Sequence, residues 1–283
     1  MIEALRPRGE EDGYMDPVST TAHWMAAVRA RETARRDRLF EDPLAEVLAG
    51  TEGFDLMTRM EVDLPENPTL PIRTRFFDDA VVRLVAEHVI GQVVLLAAGM
   101  DTRAYRLDLP IVFELDRPAV LEVKEARLGV AAAEPRCPRI AVGADLTREW
   151  ASDLIGSGFR ADVPSVFLAE GLLGYLEEPD VHRLLETLGR LAAPGSFLLA
   201  DVSGRSAVDV PFMAVWLQRL ADNGIDPARF GTDDPEGLLA AHGWEATVTE
   251  YGQEGANFGR WPLPPMPRDD RSLPHHYLMV GER

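Results

Sequence analysis

The sequence predicts an α/β protein with a doubly wound, mostly parallel seven-stranded sheet, N-terminal helices and a cap insertion. Three observations carry this. Five short, continuous apolar runs occur at 93–98, 111–116, 140–145, 163–170 and 197–202. They are short for helices and lack the alternation of a half-exposed strand, so they read as strands buried on both faces. Helical stretches at about 118–131, 147–157 and 179–193 separate most of them, and right-handed crossovers then wind the sheet on both sides. Finally, Gly99, Asp116, Asp145 and Glu170 stand at the ends of these runs, where open α/β sheets bind ligands.

The elements follow in order. Residues 1–17 carry Arg6, Arg8, Glu10, Glu11 and Asp12 among prolines and glycines, so they read as a flexible tail. The rest, 18–283, reads as a single domain. A helix starts near Ser19, Thr20 and Thr21, any of which can cap it, with Trp24, Met25, Ala27 and Val28 as its apolar stripe. A short helix from Asp42-Pro43 to Leu48 is expected to end at Gly50. Three prolines, Pro65, Pro68 and Pro71, make 61–71 a loop. From Ile72 to Ile90 the apolar residues Phe76, Phe77, Ala80, Val81, Leu84, Val85 and Val89 recur at helical spacing. Thus 18–71 forms an N-terminal helical lid. After the fifth strand, 204–235 reads as the cap insertion, with a helix at 206–223 presenting Phe212, Val215, Trp216, Leu217 and Leu220. A helix at 234–242, an alternating strand at 244–251, a proline-rich loop at 255–271 and a last strand at 276–280 complete the chain.

Composition narrows the partners. The 283 residues carry 29 basic and 47 acidic side chains, for a net charge of −18. Such a surface repels nucleic acid and anionic membranes, which leaves a small molecule or a neutral or basic peptide. A single cysteine, Cys137, forms no internal disulfide or thiolate zinc cluster and suits a reducing, cytoplasmic setting. The N-terminus lacks an apolar signal core. No apolar run reaches the roughly 18 residues of a membrane span.

The strand ends suggest the ligand. After the first strand comes Ala97-Ala98-Gly99-Met100-Asp101, where a lone glycine lets backbone approach a ligand. A dinucleotide fold needs G-x-G-x-x-G to hold a pyrophosphate. Here an acid follows instead, and no G-x-x-x-x-G-K-[ST] loop occurs. An NAD-dependent oxidoreductase is thereby disfavoured, and the absence of G-x-S-x-G disfavours an α/β hydrolase. The pattern suits a nucleoside without phosphates, such as S-adenosylmethionine. Asp116 can accept from both ribose hydroxyls, and acidic strand ends suit a cationic sulfonium.

The strings IRTRFFDD (72–79), LLAAGMDTRAYRL (95–107), FELDRP (113–118) and LAEGLLGYL (168–176) resemble the leucine carboxyl methyltransferase superfamily. The resemblance is closest to its bacterial branch, which includes polyketide O-methyltransferases, and covers about 18–203. It implies a class I methyltransferase fold and S-adenosylmethionine as cofactor. Residue by residue, it implies that Arg73 holds the cofactor carboxylate and Gly99 lies under the methionine moiety. Asp116 would bind ribose, while Asp145 and the Leu146 backbone flank adenine. Glu170 would lie near the amino group and the transfer centre. A basic residue on the first helix, Arg29 or Arg31, would sit near the cofactor tail.

A carboxylate acceptor needs no base, whereas a phenol with a pKa near 10 gains from one. His275 and His276, opening the last strand beside the cleft, are the candidate bases. Apolar residues of the lid and cap suit a hydrophobic natural-product-like acceptor, and the resemblance favours oxygen methylation. A peptide or protein carboxyl terminus and a non-catalytic cofactor-binding protein stand as alternatives. Asp145, Asp201, Asp269 and Asp270 could offer oxygen ligands to a hard cation, but no ligand spacing supports a metal site.

Overall fold

The computed structural model describes residues 17–63, 66–205, 213–226 and 228–283, with 17–20 as backbone alone. The expected tail up to Asp16, the side chains of Ser19 and Thr20, and Phe212 lie outside the described residues. Seven strands form one sheet in the order β3-β2-β1-β4-β5-β7-β6. They are β1 (Gln92–Leu96), β2 (Ile111–Asp116), β3 (Arg139–Gly143), β4 (Ser165–Ala169), β5 (Phe197–Ser203), β6 (Glu245–Glu250) and β7 (His276–Glu282). The first five run parallel, and β7 lies antiparallel to both β5 and β6. Strand order reverses between β1 and β4, which creates the crevice where such sheets bind ligands.

Four of the continuous apolar runs have the burial they predict, whereas β3, at the edge of the sheet, exposes Ala141 and Gly143 and buries only Val142. Every residue of β1 and β4 is buried, and alternate side chains serve opposite layers. Val93 and Leu95 join Ile72, Phe77, Val81 and Leu84 of α3 (Thr69–Glu87). Val94 and Leu96 join Leu184, Leu185 and Leu188 of α7 (Glu178–Leu191). On α7 the buried positions Val181, Leu184, Leu185, Leu188 and Leu191 trace one helical stripe. Full burial of each such side chain contributes about 1.5–3 kcal/mol.

Above the carboxyl end of β1, α1 (Pro17–Ala34) packs along α2 (Ala45–Glu61). Trp24 of α1 and Trp216 of α8 (Ala214–Asp222) have ring centroids 5.7 Å apart and bridge the two helices. The remaining helices are α4 (Arg103–Arg106), α5 (Pro118–Val130), α6 (Ala151–Gly156) and α9 (Pro235–Ala240), with a 3-10 turn at Leu173–Tyr175.

Three local expectations are corrected. Gly50 does not end its helix: the chain kinks there at φ 58°, ψ −177° and resumes helix to Glu61. Leu56 and Met60, both fully buried, draw that second segment against α1. The helix α3 starts at Thr69 and stops at Glu87, because His88 turns extended. Val89 is consequently 89% exposed rather than on the helix's apolar face. The short α4 and the 3-10 turn escape the sequence pattern because neither spans enough residues to show a period.

Candidate active site

A cavity of about 780 Å³ opens over the carboxyl ends of β1, β2, β4 and β5, well within the range of small-molecule sites. Part of the lining is charged. Arg29, Arg73, Arg103 and Arg106 line it together with Glu66, Asp101, Asp116, Glu170, Asp201 and Asp226. Carboxylates outnumber guanidinium groups, so the lining is net anionic. Another part is apolar, from Trp24 and Met25 of α1, Leu70 of α3, Trp216, Leu217 and Leu220 of α8, and Met266.

The β1 end turns sharply. Ala97 and Gly99 both take positive φ, 50° and 49°, a conformation that L side chains pay strain to adopt. The reversal turns the Gly99 N–H onto Asp116 Oδ2 at 2.7 Å, while Asp116 Oδ1 accepts the Arg117 N–H at 2.7 Å. Each carboxylate oxygen keeps a further lone pair. Burial pushes the Asp116 carboxyl above its usual range, against the pull of these two N–H donors.

Glu170, just past β4, is gripped from two sides. Arg73 Nε donates to its Oε1 at 3.0 Å, and Arg103 Nη2 donates to its Oε2 at 2.7 Å. Arg73 Nη1 also reaches Asp201 Oδ2 at 3.1 Å. Arg103 continues to Asp78 at 2.8 Å and pairs with Asp101. Asp201 Oδ1 accepts the Gly171 N–H at 2.6 Å, and Oδ2 meets His276 Nε2 at 2.9 Å. Burial alone would raise the Asp201 pKa, but Arg73 and His276 hold it well below the ordinary carboxylate range. Gly171 has φ +64°, and a Cβ there would stand 3.2 Å from the Arg73 guanidinium.

The structure brings Arg29, Arg73, Gly99, Asp116, Glu170, His275 and His276 to one cavity. Of the two candidates on α1, Arg29 lines it: Nε donates to Asp42 at 2.8 Å and Nη2 donates to the Met100 carbonyl. Arg31 turns to Glu61 and Glu66. Asp145 and Leu146 are not brought in. Asp145 Oδ1 accepts from Thr147 N at 3.0 Å and Thr147 Oγ1 at 2.7 Å, which closes its own turn. Leu146 packs in the core beside Trp150. The two histidines differ sharply in their partners. His275 is 2% exposed. Its Nδ1 meets Glu250 at 2.7 Å and its Nε2 meets the Asp270 carbonyl at 3.0 Å. Both nitrogens are thus engaged in structure, while His276 faces Asp201. Among the described residues, no group of three His, Cys, Asp or Glu side chains is arranged to hold a metal ion.

Sequence reasoning missed the reach of Arg103, which reads as half of a local pair with Asp101 but is 2% exposed and tied to three carboxylates. An arginine in a four-residue helix carries no sign of burial. Also missed was the stack of Trp261 on Tyr251 at 5.2 Å and of Tyr251 on His276 at 5.4 Å. These residues come from separate loops and a strand, so no spacing joins them.

Comparison with known proteins bears on this geometry. A family model described as leucine carboxyl methyltransferase matches residues 22–189. A Parafrankia protein named as an S-adenosyl-L-methionine-dependent methyltransferase is 40% identical over 266 residues, covering 86% of this chain and 81% of its own. A Streptomyces coelicolor protein of the same description is 35% identical over 292 residues, covering 93% and 95%. A methyltransferase structure from Thermobifida fusca superposes with a TM-score of 0.59 at 16% identity, over 93% of this chain and 94% of its own. A DUF574 family structure from Streptomyces avermitilis gives 0.55 at 17% identity, over 94% and 99%. These two share the fold.

Proposed function

The chain belongs to the leucine carboxyl methyltransferase family and is an S-adenosylmethionine-dependent methyltransferase, and we propose that it methylates an oxygen of a small, hydrophobic, natural-product-like acceptor. The observation that carries the proposal is one cavity whose lining joins an excess of carboxylates to an apolar set from α1, α3 and α8.

The donor set fits the cofactor, whose sulfonium and ammonium outweigh its single carboxylate. When bound, it supplies an electrophilic methyl group. Asp116 would take the ribose hydroxyls on its remaining lone pairs. Arg73 would hold the carboxylate, with Arg29 at the tail. Glu170 would face the ammonium and the transfer centre. Gly99 would lie beneath the methionine moiety, where a Cβ would come 3.1 Å from Ala22 on the lid.

The chain's own contribution is position and dryness. An acceptor held in line at near-attack distance gains most of what such a site offers. The apolar side chains of Trp24, Met25, Trp216 and Leu220 that line the cavity would exclude water from it. No described helix is long and apolar enough to cross a membrane, and the buried thiol of Cys137 suits a reducing cytoplasm.

Calorimetric titration of S-adenosylmethionine and S-adenosylhomocysteine tests the cofactor set. Asp116→Ala removes two charge-assisted hydrogen bonds, so affinity should fall roughly 100-fold or more. Unchanged affinity would remove Asp116 from the site. Transfer of labelled methyl from the bound cofactor to hydrophobic oxygen acceptors then tests the reaction. Labelling of peptide carboxyl termini alone would favour the protein substrate.

A further inference from the structure

Three side chains at the β5–β7 seam have no part in holding the cofactor as read above. Ser203 and Asp201, two residues apart on β5, point to one face. His276 sits opposite Ser203 in the antiparallel ladder. Its ring spans both neighbours, with Nε2 2.9 Å from Asp201 Oδ2 and Nδ1 3.1 Å from Ser203 Oγ. All three line the cavity. Exposure rises outward, from 3% at the Asp201 side chain to 26% at His276.

The protons on this array follow from its anchor. Asp201 is clasped by Arg73 and the Gly171 N–H, which keeps it ionised, and an ionised carboxylate only accepts. His276 must therefore carry hydrogen on Nε2. In the neutral ring that leaves Nδ1 as an acceptor, so the Ser203 hydroxyl donates to it. The imidazole is fixed by stacking on Tyr251, which is itself stacked on Trp261. The groups facing His276 are Asp201 and Ser203 from β5 and Tyr251 after β6. Behind Asp201 stand Arg73 from α3 and Glu170 after β4. His275 points away to Glu250.

We propose that Ser203, His276 and Asp201 form a proton-accepting relay, and that the methyl acceptor is accordingly an un-ionised aromatic hydroxyl rather than a carboxylate. The proposal rests on the methyltransferase reading above. Of the arginines lining the cavity, Arg73 is taken by the cofactor carboxylate in the reading above, and Arg29, Arg103 and Arg106 are each paired with carboxylates. An acceptor carboxylate would meet Asp201 and Glu170 with no cation reserved for it. A hydroxyl would meet the Ser203 oxygen instead, and Tyr175, Trp24 and Trp216 line the same cavity with aromatic faces that suit a flat ring.

The step balances. The acceptor's O–H bond breaks, and its proton passes to Ser203 Oγ as the Ser203 proton passes to His276 Nδ1. The acceptor oxygen keeps the electron pair and forms the O–CH₃ bond, while the S–CH₃ bond breaks toward sulfur. The imidazolium, stabilised by Asp201, releases its proton to water afterwards.

The test uses the full chain, with 1-naphthol and 1-naphthoic acid as matched flat probes. Wild type is compared with Ser203→Ala, Ser203→Thr and His276→Asn. Nitrogen-15 NMR of the wild type at pH 7.5 should show His276 with hydrogen on Nε2 and a bare Nδ1. The Nδ1 signal should shift in Ser203→Ala, and the return of the hydroxyl in Ser203→Thr should restore it. Naphthol should be methylated and naphthoate not. Ser203→Ala and His276→Asn should lower kcat at pH 7 about 100-fold, with KM little changed. In both variants the rate should instead follow ionisation of the phenol itself, near pH 10. Methylation of naphthoate, transfer to neither probe, a hydrogen on Nδ1, or variants with wild-type pH profiles would each overturn the relay. Calorimetry separates the two readings: cofactor binding by wild type and variants with any of those results sinks the relay alone, whereas no binding by folded wild type sinks the cofactor reading.

Discussion

Ala97 and Gly99, two residues apart, share a positive φ, and the difference between them shows what each position tolerates. Both have φ near +50°, which costs an L residue about 1–2 kcal/mol. Ala97 already bears that strain at the end of β1, as residues beside binding sites often do. At Gly99 a Cβ would also stand 3.1 Å from the Ala22 Cβ on α1. Gly99→Ala should therefore cost about 1–2 kcal/mol of stability, read as a lowered midpoint in urea unfolding. It should also weaken cofactor binding, because the lid must give way. Ala97→Gly relieves strain while adding unfolded-state entropy, so its midpoint should move by no more than about 0.5 kcal/mol. Equal losses at the two positions would mean that the lid contact is irrelevant. Position explains why Gly99, Asp116 and Glu170 were legible in the sequence: each ends an apolar run, where side chains leave the core. Arg103 was not legible, because its three carboxylate partners lie on α3, the β1 loop and the β4 loop.

At the scale of elements, the strands were plain because two-sided burial leaves room only for apolar residues, as on β1 and β4. The N-terminal helices were plain only in part. Its first helix shows a stripe, but the kink at Gly50 looks like an ending, since a glycine there can either stop a helix or bend it. What decided the matter was tertiary: Leu56 and Met60 beyond the kink pack against Trp24 and Val28 of α1. Trp24 is the hinge of that arrangement, touching α2's cluster on one side and Trp216 of α8 on the other. Trp24→Ala should cost roughly 3–5 kcal/mol. The loss should be local, since α1 and α2 pack outside the sheet's two main core layers. Amide exchange should quicken across residues 21–34 and 51–61 while β1, β4 and β5 keep their protection. In wild type, S-adenosylhomocysteine should slow exchange over 21–34, because α1 supplies Ala22, Trp24, Met25 and Arg29 to the cavity. Uniform quickening in the variant would show that lid and sheet unfold as one unit.

Across the whole molecule, a chain of ion pairs ties together elements distant in sequence. It runs from Arg106 and Asp78 through Arg103, Asp101 and Glu170 to Arg73, Asp201 and His276. Such a network gives the fold a particular dependence on acid. Burial alone would raise the Asp101 pKa, but Arg103, Lys124 and Arg106 bring it down to about 2. A carboxylate depressed in the folded state stabilises the fold above its unfolded value, near 3.9, and that contribution is lost as pH falls toward 2. Asp101→Asn removes the charge at every pH. The variant should therefore unfold at lower urea than wild type at pH 7, and the gap should close between about pH 4 and pH 2. Below that window wild-type Asp101 is itself neutral, and the two proteins should unfold together as far as this residue is concerned. The acidic surface works in the opposite sense, since protonating its excess carboxylates relieves repulsion within a chain of net charge −18. That contribution is common to wild type and variant, so their difference isolates the buried pair. A gap that stayed constant from pH 7 to pH 2 would show that Arg103 is held by Asp78 and Glu170 alone and that Asp101 acts only through its hydrogen bond to the Arg103 N–H.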